Sequence, residues 1–82
     1  MTAYDDLWSG TALKALSLLP VALQDQAEAL VREICRSPRD PKYPPSVSNP
    51  RAQVGSAGPV TVVFEVSLVD NLVHITAVYR ND

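Results

Sequence analysis

Four side chains are of the kinds that handle phosphates and protons: Arg51, His74, Tyr79 and Arg80. Arg80 can hold a phosphate or a carboxylate, or stand as a solvated arginine near the chain end. Tyr79 can serve as a general acid or base, or pack in the core with its hydroxyl at the rim. His74 is either a proton carrier or a surface residue close to Ser67 and Glu65. It lies six residues from Arg80, roughly 20 Å along a strand, so those two cannot serve one phosphate. Arg51 closes the only basic sector of the chain, in which Arg32, Arg36, Arg39, Lys42 and Arg51 face Glu33 and Asp40. That sector can hold a phosphate backbone, or be a solvated loop with scattered cations.

Other chemistries find no footing. Cys35 is the only cysteine, so no internal disulfide or thiol zinc cage can form, and a buried small hydrophobe is its expected role. The stretch Gly55, Ser56, Ala57 and Gly58 lacks the lysine and following helix of a phosphate loop and is read as a turn. No Ser/His/Asp order or carboxylate pair stands out, and no cofactor or metal is expected. With 82 residues and a net charge of −2, the chain is one small domain, 1–82, and not a dedicated nucleic-acid binder. Its 46% hydrophobic and 20% charged content is that of a globular protein. The apolar runs are too short to cross a membrane. Asp5 and Asp6 stand where a secretory leader would be basic, so a cytoplasmic location is expected.

The elements that must position these side chains follow from spacing. Residues 3–8 suit a first strand, and Ser9 a helix cap. Residues 11–18 suit a first helix stopped by Pro20, which in turn can occupy the first position of a second. In that second helix Leu23, Ala27, Leu30, Val31 and Ile34 fall on one face, opposite Asp25, Glu28, Arg32 and Arg36. Glu28 and Arg32 are spaced as an i,i+4 ion pair. Prolines at 38, 41, 44, 45 and 50 imply an extended connector over 38–50 without regular hydrogen bonding. Residues 51–56 suit a short strand before a turn at Gly58 and Pro59. Residues 60–69 and 72–80 suit a hairpin around a two-residue turn at Asp70 and Asn71. Pairing Val69 with Leu72 sets Val66 against Ile75, Phe64 against Ala77 and Val62 against Tyr79 on a core face. It sets Ser67 against His74, Glu65 against Thr76, Val63 against Val78 and Thr61 against Arg80 on the other. Trp8 and Phe64 read as core. The fold class is α+β, ordered β-α-α-β-β-β, with two helices on one face of an antiparallel sheet and the polar face left for a ligand.

This order resembles the RelE/ParE toxin superfamily of bacterial type II toxin–antitoxin systems. The likeness is carried by Ala3 and Tyr4 in the first strand, by Ala12, Leu13 and Lys14 in the first helix, and by LPVALQDQAEALVREI in the second. It continues through SPR at 37–39, VTVVFEV at 60–66 and VHITAVYR at 73–80. It implies an antitoxin protein as partner, in a toxin–antitoxin hetero-oligomer or beside a homodimer. In the RelE branch it implies metal-free mRNA cleavage on the ribosome, with Arg51 and Arg80 stabilising phosphate charge and Tyr79 or His74 moving protons. In the ParE branch it implies inhibition of DNA gyrase. RNA-cutting members usually carry lysines or arginines on the second strand and an arginine early in the third, where this chain has Ala52, Val54 and Thr61. A toxin-like scaffold that only binds a partner is the alternative.

Overall fold

A computed structural model describes residues 4–81. The elements run β1 (Asp5–Trp8), α1 (Gly10–Ser17), α2 (Val21–Arg36), β2 (Gln53–Ala57), β3 (Val60–Ser67) and β4 (Leu72–Arg80). The expected first strand began at Ala3, which lies outside the described residues. Among those residues no helix is long and apolar enough to cross a membrane.

Ser9 caps α1 by accepting the Ala12 N–H at 3.0 Å. Pro20 stands one position earlier than expected. It is the N-cap of α2, and its carbonyl accepts from the Leu23 and Gln24 N–H groups. The stripe on α2 buries Ala27, Leu30, Val31, Ile34 and Cys35. Burial raises the Cys35 thiol to a pKa of about 11, with the nearby Asp6 and Asp5 carboxylates adding to the effect. Among the described residues Glu28 and Arg32 form no ion pair, against expectation. Glu33 instead takes Lys42 at 2.6 Å, and both side chains are half-exposed.

The sheet order is β1-β4-β3-β2. It is mixed rather than wholly antiparallel, because β1 runs parallel to β4 while the other neighbours are antiparallel. The core lies between one face of this sheet and the helices. It joins Ala12, Leu30, Val31 and Ile34 to Val60, Val62, Phe64, Val73, Ile75 and Val78. Phe64 is fully buried, whereas Trp8 is half-buried at its margin.

The connector between α2 and β2 is folded, not extended. Successive turns are closed by Asp40 N–H to Ser37 O, Tyr43 N–H to Asp40 O and Ala52 N–H to Asn49 O. The fixed φ of proline suits a turn as well as an extended helix, and Asp40 and Asn49 also accept the N–H two residues on. The turn expected over residues 55–58 is shorter: Gly55, Ser56 and Ala57 belong to β2, and only Gly58, at φ 57°, and Pro59 link it to β3. Gly55 is the close approach in β2, where a Cβ would come 3.2 Å from Ile34 Cδ1.

The hairpin pairs differently from the expected register. Ser67 faces Leu72, Val66 faces Val73 and Phe64 faces Ile75, so the link is the four residues 68–71. The Ser67 hydroxyl donates to the Asp70 carboxylate and accepts the Asp70 N–H, and Asn71 adopts φ 55°. This slip of two residues leaves every side chain near the turn on its expected face. Farther along, a bulge between Val63 and Phe64 leaves Thr76 as an extra residue in β4, and pairing resumes at Val63 with Ala77. The Thr76 hydroxyl donates to the Val63 carbonyl at 3.2 Å, and the Thr76 carbonyl accepts from the Ser9 hydroxyl at 3.4 Å. The Val63 and Thr76 carbonyls at the bulge are thereby each given a hydroxyl donor.

Candidate functional site

The face of the sheet turned away from the helices carries Val54 and Ser56 from β2, and Thr61, Val63 and Glu65 from β3. From β4 it carries His74, Ala77 and Tyr79, while β1 adds Leu7. The bulge decides its C-terminal end. Beyond Thr76 the alternation of β4 inverts, so Val78 is buried and Tyr79 is 48% exposed, opposite Thr61. Tyr79 was expected in the core facing Val62, and Arg80 on the open face. The inversion exchanges them, and Arg80, opposite the fully buried Val60, takes the parity of the helix-covered face at its exposed end.

Beside Tyr79 the sheet holds a small polar network that spacing alone did not single out. The buried Thr61 hydroxyl donates to Asn81 Oδ1 at 2.6 Å and lies 3.1 Å from Ser56 Oγ, while the Asn81 N–H reaches the Pro59 carbonyl. The signal available was the pair Ser56 and Thr61 flanking the Gly58-Pro59 turn, which any tight hairpin there sets opposite each other.

His74 is half-buried between Leu7 on β1 and Glu65 on β3. Its cross-strand partner is Glu65, where Ser67 was expected. Five residues, roughly 16 Å along the strand, separate it from Tyr79. Arg51 is exposed in the turn that precedes β2, its N–H donated to Asn49 Oδ1 at 3.1 Å. Ala57 at the far end of β2 pairs with Val60, the residue that faces Arg80. The two arginines therefore start from opposite ends of β2, about 13 Å of strand apart. The structure brings Tyr79 beside Thr61 and next to Arg80 in sequence, and leaves His74 and Arg51 elsewhere. No group of three or more metal-ligating side chains occurs among the described residues.

Two helices laid on one side of a four-stranded mixed sheet with an exposed opposite face define an α+β class. Within that class the chain has the fold of the RelE toxins. It superposes on the RelBE2 toxin–antitoxin complex of Mycobacterium tuberculosis with a TM-score of 0.88 at 17% identity, covering 99% of this chain and 94% of that one. Against the isolated E. coli RelE toxin the TM-score is 0.84 at 20% identity, covering 98% and 86%. Against the archaeal RelE–RelB complex from Pyrococcus horikoshii it is 0.71 at 16% identity, covering 96% of each. No family model and no curated protein matches the sequence.

Proposed function

We propose that this chain is a RelE-type component of a toxin–antitoxin pair, held in the cytoplasm by an antitoxin-like protein, and that its open sheet face serves binding rather than RNA cleavage. The observation that carries this is the scatter of the candidate side chains. Cleavage of RNA by its own 2′-hydroxyl needs a base, an acid and positive charge around one phosphate. Here Arg51 and Arg80 start from opposite ends of β2, and His74 sits a further strand segment from Tyr79. Support for the partner comes from fold likeness to toxins solved with antitoxins.

The test is expression of the chain alone in a bacterial host, with growth followed and the 5′ ends of translated mRNA mapped by primer extension. Normal growth with folded protein, no new ends, and a stable complex with the product of an adjacent reading frame are expected. New ends at translated codons would sink this proposal and establish the alternative, ribosome-dependent mRNA cleavage. One observation favours that alternative: Tyr79 is exposed on the open face beside Thr61, where a phenol could move a proton. On that reading Tyr79→Phe and Arg80→Ala abolish cutting. Arrested growth without new ends would instead point to a gyrase-type target.

A further inference from the structure

A cleft of about 230 Å³ lies at the β2 edge of the sheet, lined by Leu30 and Glu33 from α2, Lys42 and Tyr43 from the connector, and Ser56 and Ala57 from β2. The connector runs antiparallel along the outer side of β2, with Pro45 paired to Gln53 and the Val54 N–H donated to Pro44 O at 2.8 Å. That pairing stops short of Ser56. The Lys42 N–H is held by Asp40 Oδ1 and the Tyr43 N–H by Asp40 O, so neither can carry the ladder on. By the alternation of an antiparallel strand Ser56, like Val54, turns its N–H and C=O away from β3, and among the described residues no backbone group takes them up.

The side chains of the cleft are also unspent. Tyr43 is only 6% exposed, and its hydroxyl has no hydrogen-bond partner among the described residues. Folded proteins seldom leave such a group without a water, an ion or a ligand to meet it. Lys42 Nζ stands 5.4 Å from the centre of the same ring and takes Glu33 Oε1 at 2.6 Å, with both side chains half-exposed. An exposed pair of this kind contributes little to stability and exchanges partners at little cost.

We propose that this cleft binds a small zwitterion, an α-amino acid with a short apolar side chain, whose carboxylate takes Lys42 Nζ and the Tyr43 hydroxyl while its ammonium takes Glu33. A volume equal to roughly seven or eight liquid waters has no room for a nucleotide or a length of peptide. Its two charges are balanced and adjacent, so a singly charged ligand fits poorly. An anion would part Glu33 from Lys42 and then face it, and a cation would do the same to Lys42. A zwitterion replaces the one ion pair by two. The open N–H and C=O of Ser56 repeat the same two polarities, and Leu30 and Ala57 supply apolar wall for the side chain. Nothing in this site depends on the function proposed above.

The probe is L-valine, titrated into the intact isotope-labelled chain and followed by the amide resonances of Tyr43 and Ser56. Saturable shifts of both are expected in the millimolar range. Isovalerate, which lacks the ammonium, and isobutylamine, which lacks the carboxylate, should each bind at least about tenfold more weakly. Tyr43→Phe should weaken L-valine about tenfold although it leaves the ring in place. Glu33→Gln should weaken L-valine by a similar factor yet bind isovalerate more tightly than the unaltered chain does, because the carboxylate that repels the anion is gone. A merely structural loss would weaken both ligands alike, and that result would overturn the proposal. Shifts that never saturate or that spare Tyr43 and Ser56, equal affinity for the three compounds, or undiminished L-valine binding in Tyr43→Phe would each overturn it too.

Discussion

Tyr43 offers the sharpest test of how this small core is held together. The residue is 6% exposed, its ring meets Phe64 edge-on with centroids 5.6 Å apart at 85°, and its hydroxyl is buried without a hydrogen-bond partner among the described residues. A buried, unsatisfied hydroxyl costs about 1–3 kcal/mol, because it gives up water and gains nothing in exchange. Tyr43→Phe removes that oxygen and leaves the ring packing, including the contact with Lys42 Nζ at 5.4 Å from the ring centroid. The variant should be more stable by about 1–2 kcal/mol at pH 7. At ~4–8 °C per kcal/mol for a domain of this length, the melting temperature should rise by roughly 5–15 °C. The pH dependence has a definite sign. Burial raises the phenol pKa, with Lys42 pulling it the other way. A pKa raised in the folded state contributes stability that is fully present below the unfolded value near 10 and is lost as pH climbs through the folded value. The native chain therefore loses alkaline stability that Tyr43→Phe keeps, and the gap between them widens above pH ~10. Thermal melts by circular dichroism at pH 7 and at alkaline pH measure both effects. A variant less stable than the native chain at pH 7 would refute the reasoning, since it would mean that the hydroxyl has a partner worth more than its burial costs.

Gly55→Ala should destabilise by about 1–3 kcal/mol, because the new methyl group meets Ile34 and two ring carbons of Tyr43 at 3.2–3.3 Å, and neither buried neighbour has room to retreat. The denaturation midpoint should fall with an unchanged slope. Asn71→Ala forces φ 55° on a residue with a plain Cβ and should cost about 1 kcal/mol, while Asn71→Gly should keep the native stability in the same assay. Cys35, with its thiol held near pKa 11, should react with iodoacetamide at pH 8 about 100-fold more slowly than an ordinary thiol, and its rate should climb about tenfold per pH unit toward 11. The stability contributed by its neutral form is present below the ordinary thiol range and lost as pH rises through 11, and rapid alkylation of the folded protein at pH 8 would contradict the burial.

The helices were legible because their evidence is local: Ser9 is an N-cap by chemistry, and the stripe of α2 repeats over four turns. The two-sided hairpin was legible for a similar reason, since apolar residues alternate strictly from Phe64 to Ser67 and again from Val73 to Ile75, whereas the parallel pairing of β1 with β4 left no such local mark. What spacing could not show is where alternation is degenerate. Val62, Val63, Ala77 and Val78 are all small and apolar, so either register buries an acceptable set, and the choice falls to the hydroxyl of Thr76 and its bond to Val63. The four-residue link at 68–71 was hidden likewise, because Leu68 and Val69 read as strand although both are exposed. The turns of the connector depend on the Asp40 and Asn49 side chains, and proline content alone favours extension equally. Of the candidate side chains, Tyr79 and Arg80 were singled out by type, but their orientation was not legible, because it lies downstream of the bulge.

Thr76 makes the last four residues of β4 behave as a key turned by half a rotation. Were it drawn into regular pairing with Val63, with no residue added or lost, Tyr79 would come to face Val60 and be driven under the helices, and the guanidinium would turn to the open face. What this end of the protein offers a visitor is therefore set by one backbone unit held out of the ladder.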